Sequence, residues 1–249
     1  MQIHSLPASA GAAWLRDGWR LLKRQPIGLA AMVMLYTFVF VLLISVTIPF
    51  PYLRALLVGA AWPFATVGVM AAFREVAAAR TPTPAVFIEP IRDHAARGAL
   101  LRLGLVFAAL LMLLVFLSGG AGTAPPVGAE AEAPTLDDVR PGGLVLFVLL
   151  YPLVMVIMWF APLLAGWHGL GAAKAMFASA IACWRNKWAL LVYAALMGCV
   201  TLGIGALASA VFGSVTSEQV LAWVSVPIGI ALGAFMQASF YRMYSAIFA

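Results

Sequence analysis

The chain contains six stretches that are almost free of charge and almost entirely apolar, at positions 29–50, 55–73, 98–117, 143–165, 189–213 and 220–241. A helix needs about 20 such residues to cross the hydrocarbon core of a bilayer. Inside that core only a structure that satisfies its own backbone hydrogen bonds survives, which selects helices for apolar runs of this length. The third stretch reaches spanning length only by starting near Gly98, which puts Arg102 in its first turns, where a long side chain can reach back to the head groups. The expected fold class is therefore an all-α membrane protein with six transmembrane helices. Composition agrees, because 64% of the 249 residues are hydrophobic and only 10% are charged, against roughly a quarter charged in soluble domains. One integral membrane domain over residues 1–249 accommodates six spans and short connections. The first 28 residues carry no charge before Arg16, no uninterrupted apolar core and no small-residue cleavage site after one, so no cleavable signal peptide is read and the N-terminus is expected to be retained.

Orientation follows from Lys and Arg, which resist translocation. With the N-terminus inside, Arg16, Arg20, Lys23, Arg24, Arg74, Arg80, Arg92, Arg97, Arg102, Lys174, Arg185, Lys187 and Arg242 fall on the cytoplasmic side, and of the 15 basic residues only Arg54 and Arg140 face outward. Both termini are then cytoplasmic. The segment 118–142, with Glu130, Glu132, Asp137 and Asp138 among Gly, Pro and Ala, reads as a solvated outer loop. The first two runs are joined only by residues 51–54, with Pro49 just before them, so they either cross fully or form a re-entrant hairpin.

The cytoplasmic segments are amphipathic. Over 12–24, Leu15, Gly18, Trp19 and Leu22 recur at helical spacing while Arg16, Arg20, Lys23 and Arg24 take the other face. This predicts an interfacial helix with Trp14 and Trp19 at head-group depth. Phe177, Ile181, Trp184 and Trp188 form a similar stripe before the fifth span, with Lys174, Arg185 and Lys187 outside it. A shorter version over 86–97 sets Phe87 and Ile91 against charged residues and places Asp93 to pair with Arg97. Together these pieces suggest one unit used three times, an interfacial helix followed by a helical hairpin. The returning spans carry Pro63, Pro152 and Pro227, each of which frees a carbonyl and bends its helix.

The opening Met1-Gln2-Ile3-His4-Ser5-Leu6-Pro7-Ala8, followed by Gly11, Trp14, Gly18-Trp19-Arg20 and Arg24-Gln25-Pro26, resembles an uncharacterised family of small proteobacterial inner-membrane proteins. The likeness extends loosely over the chain through the hairpin layout and the segment 179–188. It implies a bacterial inner-membrane location and this architecture, and it carries over no activity and no functional residue.

Chemistry is conspicuous by what the residues exclude. No ionisable group lies centrally in a span, which argues against a proton- or sodium-driven carrier. Gln237 is the nearest polar residue and reads as an interhelical hydrogen-bonding group. His4, His94 and His168 have no metal-ligand spacing, and Cys183 and Cys199 lie apart in apolar surroundings, so no metal or cofactor is expected. No catalytic motif stands out, and an enzyme would require His168 and Lys174 to converge with Glu75 or Asp93. Gly229 and Gly233, with Gly205 and Ser209, form small-residue surfaces expected to pack helices, within the bundle or between copies. The net charge of +6 points to anionic lipid rather than nucleic acid. Arg16, Arg20, Lys23, Arg24, Trp14, Trp19, Lys174, Arg185 and Lys187 are the expected head-group contacts. Two roles remain: a non-catalytic lipid-interacting scaffold or partner of a membrane complex, or an uncoupled transporter or channel for a lipidic or apolar molecule.

Overall fold

A computed structural model describes residues 2–45, 51–117, 141–212 and 218–248, and among them the chain is helical with no strand. In order, the helices are α1 (Ala10–Leu22), α2 (Pro26–Ser45), α3 (Pro51–Ala77), α4 (Glu89–Arg92), α5 (His94–Leu117), α6 (Pro141–Met158), α7 (Ala161–His168), α8 (Ala172–Arg185), α9 (Lys187–Phe212) and α10 (Glu218–Ile247), with a 3-10 turn at Pro84–Phe87 before α4. Six of the segments are long and apolar enough to cross a membrane: Pro26–Ser45, Leu56–Ala77, His94–Leu114, Val145–His168, Lys187–Phe212 and Trp223–Ile247. These are the six stretches read from the sequence. At 1.5 Å per residue the shortest, α2, is about 30 Å long, enough for the hydrocarbon core. Pro63, Pro152 and Pro227 each lie inside a helix. The expected acidic outer loop falls outside the described residues up to 140, as do residues 46–50, while the expected link 51–54 belongs to α3.

The chain divides into two compact units. The first comprises Met1–Thr37, Gly68–Ile88 and Ile181–Ala249. Its fully buried side chains include Leu21, Leu29, Met70, Phe73, Met243 and Ile247. The second comprises Phe38–Val67 and Glu89–Ala180, with Leu100, Leu103, Met158, Phe160, Leu163 and Leu164 fully buried.

In the second unit α3 and α5 cross on small residues. A Cβ added at Gly104 would come within 2.6 Å of Ala60 Cα and Gly59 O, and one at Gly59 within 2.6 Å of Ala108 Cβ. Glycine here permits backbone-to-backbone approach, the usual device where helices pack without a hydrophobic drive. Trp62 stacks on Phe107 beside the crossing, with ring centroids 4.5 Å apart. The Gly59–Gly104 contact went unread because Gly59 and Gly104 lie on different helices and neither makes a GxxxG within its own.

The fourth span is interrupted. Sequence reading placed one continuous run over 143–165, whereas α6 stops at Met158 and α7 starts at Ala161. Pro162 lacks the N–H that would close the ladder onto Met158, and its ring crowds that carbonyl. The Ser179 hydroxyl from α8 then inserts one turn earlier. Phe160 N–H donates to Ser179 Oγ (3.0 Å), and that hydroxyl donates to Val156 O (3.0 Å). Phe160 and Val156 are i+4 partners, so the serine bridges a bond the helix would otherwise make directly.

The segment 86–97 also differs from expectation. It is a 3-10 turn and one turn of α4, after which Asp93 Oδ1 caps α5 by accepting from Ala95 N–H (2.9 Å) and Ala96 N–H (3.3 Å). An N-cap carboxylate satisfies donors that the helix cannot, so Asp93 is engaged there, and the Arg97 guanidinium lies instead against His94 Nδ1 at 3.0 Å. Starting at His94 gives the third span its length and leaves Arg97 and Arg102 exposed.

Candidate functional site

The first unit is organised around α1. The helix packs against both α9 and α10, while those two spans touch each other at only a few points. Two glycines make this possible. A Cβ on Gly18 would lie 2.6 Å from Ser239 Cα in α10, and one on Gly11 would lie 2.7 Å from Tyr193 N in α9. Between them Trp14 is only 3% exposed and meets the Tyr193 ring edge-on at 6.3 Å. Tyr193 and Ser239 join the two spans beneath α1, their hydroxyls 3.1 Å apart. Ser239 Oγ also lies 3.0 and 2.9 Å from the α10 carbonyls of Phe235 and Met236, to which it can donate.

This docking changes which face of α1 is buried. Its buried stripe is Gly11, Trp14, Gly18, Leu21 and Leu22, not Leu15, Gly18, Trp19 and Leu22. The face turned inward is the one that carries both glycines, because the backbone approach at Gly11 and Gly18 leaves no room for a Cβ. Trp14 is therefore a buried packing residue and offers no surface to a head group. Trp19 remains 51% exposed and lies edge-on to Phe235 at 6.0 Å.

A short N-terminal strap holds α1 in place. His4 N–H donates to Ile247 O at the end of α10 (2.9 Å). Leu6 N–H donates to Asn186 Oδ1 (2.9 Å), and Asn186 Nδ2 donates to His4 O and to Ala182 O (both 2.9 Å). Ser5 Oγ donates to Arg185 O at 3.3 Å. Asn186 is 1% exposed and sits at the junction of α8 and α9, where its amide both accepts from and donates to the N-terminal backbone. Sequence reading passed over it. The available signal was a lone amide between Arg185 and Lys187 in an apolar setting, where a buried side chain of that type needs partners.

The opposite face of α1 carries the cations. Arg16, Arg20, Lys23 and Arg24 are all exposed. Asp17 lies between the first two, 3.8 Å from Arg16 and 3.2 Å from Arg20, and Lys23 Nζ sits 5.8 Å over the Trp19 ring. Arg24 Nη1 donates to Ala77 O at 3.5 Å and Gln25 Nε2 to Arg80 O at 3.3 Å, so the α1–α2 corner rests on the end of α3. There Arg80 binds Glu75 through both guanidinium arms, and the Glu75 carboxylate holds the arginine above its ordinary pKa. Elsewhere Lys174, Arg185 and Lys187 are exposed. Lys187 Nζ lies 4.4 Å over Trp184 and 5.8 Å from Trp188, rings that are 72% and 65% exposed.

Within the chain the expected packing glycines have few neighbours. Gly205 and Gly229 have no heavy atom within 4 Å of an added Cβ, and Gly233 meets only Val33 Cγ1 at 3.5 Å. Ser209 is exposed and Gln237 half-buried. Gly205, Ser209 and Gly229 instead line a crevice between α9 and α10. A GxxxG spacing permits close approach but does not select a partner, and here the two spans touch at only a few points. Of the carboxylates an enzyme would need, Glu75 is engaged by Arg80 and Asp93 caps α5. His168 closes α7 and is followed by Gly169 in the left-handed region (φ 64°). Among the described residues no cluster of three metal-ligating side chains occurs; Cys183 is buried and Cys199 exposed.

No family model and no solved structure matches the chain. It is 29% identical over 265 aligned residues to a probable inner membrane protein of Burkholderia thailandensis, an alignment covering all of this chain and 94% of that protein. The name of that relative gives a location and no activity, which fits the uncharacterised inner-membrane family that the opening residues resemble. With its six apolar helices, the chain is a multi-pass inner-membrane protein.

Proposed function

We infer that this membrane protein acts without catalysis, as a lipid-interacting scaffold or partner of a membrane complex, through a basic face that engages anionic head groups. The observation that carries this reading is the clamping of α1. Its glycine face is fixed on α9 and α10, so Arg16, Arg20 and Lys23 project from a rigid surface and bind without first ordering a helix. Each basic residue near an anionic surface contributes about 1 kcal/mol, and the exposed Trp184 and Trp188 with Lys187 add the amphipathic rings that favour an interface. The meeting of His4 with Ile247 supports placing both termini on one side, and the distribution of Lys and Arg supports the cytoplasm as that side.

The test is binding to nanodiscs of phosphatidylglycerol against phosphatidylcholine. The variant R16Q/R20Q/K23Q keeps Arg24 on Ala77 O and should lose at least tenfold in preference for the anionic discs while retaining its melting temperature. An unchanged preference overturns the reading. The interrupted fourth span favours a second reading, uncoupled movement of a lipidic molecule, because broken helices line substrate paths in transporters. Reconstituted protein that leaves labelled-lipid exchange between leaflets at the rate of empty vesicles removes it.

A further inference from the structure

Where α1 packs on both of them, α9 and α10 are bridged by the Tyr193 and Ser239 hydroxyls and otherwise touch at few points, and further along neither span closes the gap. A crevice of about 400 Å³ remains, walled by Ile204, Gly205 and Ala208 on one side and Ile228, Gly229 and Leu232 on the other. An added Cβ at Gly205 or Gly229 meets nothing within 4 Å, so these small residues enlarge an opening rather than seat a neighbouring helix. Of the hydroxyls at its edge, Thr201 Oγ1 donates to Met197 O in its own helix (2.9 Å) and is not aimed at a ligand. The walls continue directly into the lipid-facing surface of the same spans, where Leu202, Leu207, Trp223 and Val226 have more than half of their surface open.

That continuity identifies the occupant. Water holds a cavity only where two or more polar partners fix it, and these walls supply almost none. An empty gap forfeits dispersion contacts along its whole lining. The medium meeting the mouth of the crevice is hydrocarbon, and the volume lies within the range of ligand sites and suits a single fatty chain. We propose that the crevice between α9 and α10 is a binding site for one acyl chain of a bilayer lipid. It is separate from the head-group contacts of the basic face, because its recognition is by shape and apolar contact and needs no charge.

The test uses wild-type protein in nanodiscs containing a phosphatidylcholine whose acyl chain carries a photoactivatable diazirine, with adducts mapped by mass spectrometry. Adducts should concentrate on 201–212 and 224–232, and G205L/G229L, which fills the crevice, should lower them at least fivefold. The variant R16Q/R20Q/K23Q should leave labelling unchanged even where it abolishes the preference for anionic discs, so the two readings fail independently. Wild-type labelling spread evenly over all six spans overturns the proposal without recourse to any variant. So does labelling unaltered by G205L/G229L in protein of wild-type melting temperature.

Discussion

Replacing Asn186 with Ala removes the side chain that fastens the N-terminal strap to the junction of α8 and α9. Three hydrogen bonds go with it: one from Leu6 N–H, one to His4 O and one to Ala182 O. At a net of about 1 kcal/mol for each bond, and more where a buried backbone group is left unsatisfied, the loss is about 2–3 kcal/mol. For a chain of this size that corresponds to roughly 4–12 °C in melting temperature. The assay is thermal unfolding in a mild detergent, run as a cycle with a variant lacking residues 2–6. If Asn186 acts through the strap, its substitution in the truncated chain costs only the bond to Ala182, about 1 kcal/mol, and the cycle yields a coupling of about 1–2 kcal/mol. Losses that add to within about 0.5 kcal/mol show that Asn186 stabilises the protein by another route and refute the reasoning.

Other consequences are equally direct. Gly104→Ala should cost about 1–3 kcal/mol because its Cβ enters the α3 backbone at 2.6 Å, whereas Gly205→Ala, which meets open space, should be neutral or stabilising; detergent melting of the pair decides. Ala79 ends the turn after α3 at φ 59°, a conformation that costs roughly 1–2 kcal/mol for a residue with a Cβ, so Ala79→Gly should raise the melting temperature. Ser179→Ala leaves Phe160 N–H and Val156 O without their bridge and should lower stability by about 1–3 kcal/mol, whereas Ser179→Thr, which keeps the hydroxyl, should recover part of it in the same assay.

The six spans were legible because hydropathy is a local quantity: each window of 20 or so residues declares its preference for hydrocarbon without reference to any other. The cationic face of α1 was legible for the same reason, since Arg16, Arg20 and Lys23 lie within two turns of one helix. The break in the fourth span was half legible. Pro162 was visible, but the hydroxyl that stabilises the gap comes from Ser179, on another helix. The glycines divide in the same way. GxxxG spacing singled out Gly229 and Gly233, yet the close crossings fall at Gly11, Gly18, Gly59 and Gly104, because closeness is a property of two helices and spacing describes one.

The sequence by itself determined the apolar medium and the six helices long enough to cross it, since transfer free energies act residue by residue. Tertiary structure alone decided that α1 docks by its glycines and buries Trp14, that Asn186 holds backbone 182 positions away, and that a gap persists between α9 and α10. Those outcomes depend on distances between segments remote in the chain, where an ångström of backbone separation decides whether a side chain packs, bonds or leaves space.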